Sequence, residues 1–275
     1  MKKVIVSCTL LLFSFFYTYL CSEILIRNNP LYLTIIKNKS LKEKKSINAK
    51  VSLNEVMPGK SGKKVSVMKT FNNMNKYGKY DDSLYVFHEE KPSISIDNYY
   101  DKYITKGNKD KKNVSLIYTV SDSFAIKDIL KTLKKNNVNA TFFIDGKLLE
   151  IDNNLINKLI YSGNEIELLN YDGLYEEETF KNSLDYLSLI KNEDNRFCFS
   201  PYKRDSVLNI CSKYKLHTIV PGLIINNNML YLTKENLTPG LIIKMPNTVY
   251  SLNTTIDYIK SRNYKIVKLE KLLEE

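Results

Sequence analysis

From Asn113 to the C-terminus, short apolar runs alternate with stretches in which apolar residues recur at helical spacing. Residues 114–120, 140–144, 165–169, 197–199, 218–220, 241–243 and 265–269 read as strands. Between them, Ile126, Ile129, Leu130 and Leu133 mark one face of a helix. Phe180, Leu184, Leu187 and Ile190 mark another, and Val249, Leu252, Ile256 and Ile259 the last. Two more helices are predicted over 154–162, stopped by Gly163, and over 205–213. Strand followed by helix, repeated about seven times, requires crossover connections, and these give a parallel sheet with helices outside it. The spacing therefore predicts an α/β domain over 113–275. An incomplete or distorted (β/α) barrel fits best, with a flat doubly wound sheet as the alternative. A core of this size supports a single domain.

The net charge of +11 suggests a nucleic-acid partner only until it is located. Residues 1–112 hold 21 Lys+Arg against 10 Asp+Glu, and residues 113–275 hold 20 against 20. The predicted domain is electrostatically ordinary, which argues against a basic nucleic-acid groove on it. Met1-Lys2-Lys3 precedes an apolar run over 4–20 that resumes with Ile24-Leu25-Ile26. At 1.5 Å per residue such a run crosses a hydrocarbon core of roughly 30 Å. The exit Tyr19-Leu20-Cys21-Ser22 lacks a small-x-small cleavage site, and Leu20 before Cys21 does not suit lipoprotein processing. The expectation is an uncleaved signal anchor over 1–26, single-pass in the cell membrane with the domain outside, a cleaved signal being the alternative. Lys2 and Lys3 favour that orientation, although Arg27 and the lysines from Lys37 to Lys50 blur the rule. Residues 27–112, rich in Lys, Asn and Ser and without a sustained period, read as a basic low-structure stalk, with 83–112 as a partly ordered preface. Cys8 and Cys21 belong to the apolar run. Cys198 and Cys211 read as two buried free thiols, with a disulfide as the extracytoplasmic alternative.

Within the domain, Ala140-Thr141-Phe142-Phe143-Ile144-Asp145-Gly146-Lys147 resembles the second-strand signature of the polysaccharide deacetylases, the NodB-like carbohydrate esterases of family 4. Gly163-Asn164-Glu165-Ile166 is similar to their Gly-His-Glu-Ile segment, and Phe199-Ser200-Pro201-Tyr202 stands where they have Arg-Pro-Pro-Tyr. Thr238 to Ile243 resembles the run before their last catalytic block, and 258–267 their ending. The blocks keep order and spacing over about 113–270. The resemblance implies a NodB-type barrel, and a chemistry in which an Asp and two His hold a divalent metal. A second Asp acts as base on metal-bound water, and a His as acid toward the leaving amine. Such a metal polarises the amide carbonyl and lowers the pKa of water.

Nearly every chemical position departs from that pattern. Thr119 and Val120 stand for the base and the metal Asp, Leu169 and Gly173 for the two His, Phe199 for an Arg that orients the base, and Pro246-Asn247 for the final His-Asp. Val120, Leu169 and Gly173 supply no ligand, so no metal cofactor and no catalytic residue is expected. Only two histidines exist, His88 before the domain and His217 at a helix–strand junction. Displaced acids Asp122, Asp145, Glu167 and Asp172 could form a carboxylate site suited to Mg²⁺ or Ca²⁺, but loop acids and helix caps explain them more simply. The expectation is a catalytically degenerate protein that binds a cell-wall glycan or an envelope or spore-assembly partner. An active peptidoglycan N-deacetylase with a rebuilt site is the alternative. Candidate ligand-binding residues are Tyr171, Pro201, Tyr202 and Asp122, with Tyr118 and Phe199 as aromatic candidates that core packing also explains.

Overall fold

The computed structural model describes residues 2–275, with side chains from Leu10 onward; Met1 and the side chains of Lys2, Lys3 and Cys8 lie outside the described residues. The chain divides into two compact units. The first runs to Ile47 and adds Ser61–Lys91; the second comprises Asn48–Lys60 and Pro92–Glu275.

The first unit begins with α1, Lys2–Arg27. Its stretch Leu10–Arg27 is long and apolar enough to cross a membrane and is not buried against the chain, a description that a signal sequence also meets. Helix α2, Pro30–Lys42, starts where Asn29 accepts the Leu31 N–H and Pro30 presets the first helical φ. Helix α3, Val67–Tyr77, ends at Gly78 in the left-handed region. A hairpin pairs Gly62–Val65 with Phe87–Glu90. Ile35, Val65, Phe71, Met74 and Tyr85 form a small core, with Tyr32 edge-on to Phe71 at 5.8 Å. The expectation of a low-structure stalk over 27–112 is thus not met. The core is only five residues deep and their spacing is interrupted by Lys and Asn, so no period betrays the helices.

The second unit is a parallel (β/α) barrel. Besides a short antiparallel pair, Lys50–Val51 with Val56–Met57, its barrel strands in chain order are β1 Tyr103–Ile104, β2 Asn113–Val120, β3 Thr141–Ile144, β4 Glu165–Leu168, β5 Phe197–Phe199, β6 His217–Ile219, β7 Leu223–Ile224, β8 Ile242–Lys244 and β9 Lys265–Ile266. The wall runs β7–β8–β2–β3–β4, and a second sheet runs β5–β6–β1. β9 pairs with the start of β2. Residues 103–107 close one side: Tyr103 pairs with Thr218, while Lys106 bridges to Leu241. Part of the expected preface is therefore a barrel stave, hidden in the sequence because it contributes just two strand residues.

Helices α4 Ile126–Lys135, α5 Gly146–Ile151, α6 Asn153–Tyr161, α7 Glu177–Lys191, α8 Asp205–Lys213, α9 Met229–Asn236 and α10 Leu252–Ser261 surround the wall. Strand alternation sorts the side chains. Leu116, Tyr118 and Val120 face outward under the helices, whereas Ile117, Phe143, Phe197 and Phe199 fill the interior. The last helix, α11 Leu269–Leu273, plugs the N-terminal end of the barrel with Leu269, Leu272 and Leu273. Glu165 receives its first N–H groups, those of Leu269 and Glu270.

β4 and β5 are not paired by backbone bonds, and Glu167 joins them. Its carboxylate, almost fully buried, accepts the Arg196 N–H at 3.0 Å and the Phe197 N–H at 3.3 Å, with Lys191 Nζ at 3.4 Å. Burial raises its pKa to about 7, against the pull of Lys191.

Cys198 on β5 and Cys211 on α8 form a disulfide with Cα atoms 6.1 Å apart, which corrects the expectation of free thiols. Both side chains lie on the outward face of the wall, where α8 packs directly over β5; their separation of 13 residues had left them independent in the sequence. A loop of that length stabilises by about 3 kcal/mol in the chain-entropy account. Reduction, or the pair Cys198→Ser and Cys211→Ser, is expected to lower Tm by roughly 6–12 °C. Thermal unfolding with and without reductant measures this, and identical curves would remove the disulfide from the native protein.

Candidate functional site

Parallel strands bring all their C-terminal ends to one mouth, where loops form ligand sites in barrels of this kind. Here that mouth is made by Thr119 and Val120 at the end of β2, Asp145 after β3, Leu169 after β4, Ser200–Arg204 after β5 and Lys244–Asn247 at the end of β8.

Its chemistry is apolar or neutral at the positions where the resemblance places metal ligands. Val120 is fully buried, and its side chain belongs to the outer layer beneath the helices. Leu169 belongs to the inner core with Phe143 and Phe199. Gly173 sits at φ +82°, in a turn that the Tyr171–Leu174 bridge closes. None of the three carries an oxygen, nitrogen or sulfur donor in its side chain, so the residues do not fit a metal ion. Half-buried Thr119 gives its carbonyl to Asn247 Nδ2 at 2.9 Å, and the Asn247 Oδ1 is buried without a partner.

The displaced acids do not converge. Asp145 Oδ1 accepts the N–H groups of Lys147 (3.0 Å) and Asp172 (3.1 Å), and its Oδ2 faces the Gly173 N–H at 3.4 Å. Three backbone dipoles neutralise it as the N-cap of α5. Asp172 pairs with Lys147 at 2.9 Å on the surface. Asp122 caps the turn before α4 by accepting the Phe124 N–H at 2.8 Å. Glu167 joins β4 to β5, as described. Among the described residues, no three His, Cys, Asp or Glu side chains are placed to hold a metal.

Of the aromatic candidates, Tyr118 is fully buried and stacked on Phe142 at 5.1 Å, and Phe199 is buried against Phe143 at 5.6 Å. Both are core. Tyr171 is half-buried; its hydroxyl reaches Glu150, and its ring edge lies over Gly146 beside Ser183. A Cβ at Gly146 would come within 2.6 Å of Ser183 Oγ, so this seam between α5 and α7 requires glycine there. Pro201 and Tyr202 are exposed, Tyr202 by 53%. Arg204 lies over the Tyr202 ring at 4.3 Å and donates to its hydroxyl, while Ser200 Oγ holds the Tyr202 carbonyl at 2.6 Å. Lys203 pairs with Glu55 at 2.7 Å. Tyr202 is thus an exposed ring at the rim, held by Arg204 and Ser200.

The histidines have other work. His217 is buried, bonded through Nε2 to Asp97 at 2.9 Å and stacked on Tyr100, and His88 bonds Ser66 in the first unit. Sequence reasoning overlooked Lys244 and Arg204. A signal for the former existed, since Lys244 is the only charged residue of the apolar run 241–245.

The polysaccharide deacetylase family model matches residues 106–180. An uncharacterised protein of Bacillus subtilis, YlxY, is 29% identical over 140 residues, half of this chain and 44% of that protein. The chain thus aligns with less than half the length of that curated relative. Among solved structures, the family 4 carbohydrate esterase pseudoenzyme BA3943 of Bacillus anthracis superposes with a TM-score of 0.69 and 24% identity, over 90% of this chain and 96% of that one. A mutant of the same pseudoenzyme, described as having restored enzymatic activity, superposes with a TM-score of 0.68 over 90% and 99%. The fold is the NodB type of the family 4 carbohydrate esterases.

Proposed function

We propose that this chain, built on the polysaccharide-deacetylase fold, binds a cell-wall glycan at its barrel mouth without hydrolysing it, and that α1 holds it to the outer face of a membrane. The observation that carries this reading is the contrast within one mouth. The metal positions hold Val120, Leu169 and Gly173, while the rim keeps an exposed Tyr202 braced by Arg204. Loss of every ligand together removes the cost of carboxylates converging without a metal, and a flat ring, Tyr202, is exposed at the rim of the same mouth. Pyranose rings present C–H faces to such rings. The likeness to a pseudoenzyme is consistent with this reading, as is α1, whose exposed Leu12, Phe13, Phe15 and Phe16 need lipid or another apolar cover. A living hydrolase with a rebuilt site would need an acidic cluster that the described residues do not supply.

Full-length protein in detergent micelles is expected to sediment with peptidoglycan sacculi, and Tyr202→Ala to lower retention about five- to tenfold, the scale of one lost aromatic contact. Unchanged retention in that variant would move the site elsewhere. Absence of wild-type retention would remove glycan binding.

A further inference from the structure

Strand β8 alternates like the rest of the wall: Ile242 packs in the inner core, Ile243 and Met245 in the outer layer. Lys244 therefore enters the barrel from the same face as Ile242. Its Cα partners on the flanking strands are Ile117 of β2 and Ile224 of β7, which sets it one layer beneath Thr119. The side chain is half-buried, and among the described residues its ammonium has no hydrogen-bond, ion-pair or ring partner. Burial pushes its pKa down, and no carboxylate is near enough to oppose that. Asp145, the acid at this mouth, is occupied by three backbone N–H groups.

An ammonium withdrawn from water without a counter-ion lowers stability, and methionine or leucine at the same place would relieve that loss. An unpaired, half-buried charge at the end of a barrel strand is a candidate functional feature. Lys244 lies between Ile117, fully buried, and Ile224, 37% exposed, so its ammonium is partly shielded from water, which strengthens attraction to an anion that reaches it. Asn247 stands at the same mouth, its Nδ2 on the Thr119 carbonyl and its Oδ1 buried without a partner. Tyr202 supplies a ring surface at the rim. Anion, hydrogen-bond donor and ring face together describe an acidic sugar. Resting on the glycan-binding reading above, we propose that the mouth selects a glycan that carries a carboxylate, which pairs with Lys244 while Asn247 and Tyr202 engage the sugar. A covalent cation then stands inside a barrel that lacks the ligands for a divalent one.

Calorimetry on the full chain in detergent micelles, at low salt, tests this with three probes. These are neutral chitotetraose, a hyaluronan tetrasaccharide in which N-acetylglucosamine alternates with glucuronate, and sodium acetate against a chloride control. The hyaluronan probe is expected to bind at least about tenfold more tightly than chitotetraose. Lys244→Met is expected to abolish that preference, leaving chitotetraose affinity intact and Tm equal or higher, while Lys244→Arg keeps the preference. Lys244→Gln serves as the second neutral variant should the methionine form fold poorly. Equal affinity for both glycans, or a preference that survives in the neutral variants, overturns the carboxylate site and leaves glycan binding standing. If neither glycan binds the wild type, the glycan reading falls. The carboxylate site then survives only if acetate binds the wild type and not Lys244→Met.

Discussion

Incubated with N-acetylated glycan oligomers, the purified protein is expected to release no acetate above the enzyme-free control, with or without added Zn²⁺, Co²⁺ or Mn²⁺. An amide carbonyl is a poor electrophile and water near neutrality a poor nucleophile, so hydrolysis needs polarisation of the first and deprotonation of the second. In this mouth the base position is Thr119, and the neighbouring carboxylate, Asp145, is taken up by three backbone N–H groups. The ligand position at Val120 is filled by an alkyl group turned away from the mouth and fully buried. Pro246 offers no proton to a leaving amine. General acid–base assistance alone is worth about 10²–10⁴-fold, and the missing activation of water adds to it, so the deficit relative to a competent site is at least about 10⁴-fold. Acetate release that disappears in Asp122→Asn or Asp172→Asn would show that the displaced acids had been reassembled, against their observed engagement with Phe124 and Lys147.

The barrel was legible because its elements obey local rules. The helix over 205–213 coincides with α8, and the strands at 114–120 and 140–144 are recovered within a residue. The boundaries that slipped did so where geometry is non-local. The helix expected over 154–162 coincides within a residue with α6, but the short helix before it, Gly146–Ile151, escapes the sequence pattern; Asp145 opens it by accepting the Lys147 N–H. The run 265–269 was read as a strand, but Leu269 already begins α11, whose N–H groups find Glu165, more than a hundred residues earlier. Residues 103–107 and the disulfide escaped for the same reason: each is defined by a partner distant in sequence. At the site, the residue types that stand at the metal positions of the resemblance are legible in the sequence. What those residues do instead is not, since the inward aim of Lys244 and the outward aim of Val120 depend on strand register.

Glu167→Leu is expected to destabilise the barrel unit by about 3–5 kcal/mol, the cost of removing one partner from a buried ion pair. The loss has two parts. Lys191, nearly buried, would keep only the Ile166 carbonyl as a partner for its ammonium. The N–H groups of Arg196 and Phe197 would lose their acceptor at a seam of the wall where no strand pairing replaces it. Glu167→Gln retains an acceptor of the same shape and is expected to cost less, while changing the pH dependence. With a folded-state pKa raised to about 7 from an ordinary 4.5, Glu167 binds its proton more tightly folded than unfolded. Its contribution is therefore most favourable below pH 4.5, declines as pH rises toward 7, and is level above that. Urea unfolding at intervals between pH 4.5 and 8 is expected to show this decline in the wild type and a flatter profile in Glu167→Gln. Were Glu167→Leu to unfold at the wild-type urea midpoint at pH 7, the seam between β4 and β5 would be held by the interior apolar contacts of Leu169, Phe197 and Phe199 rather than by the buried carboxylate.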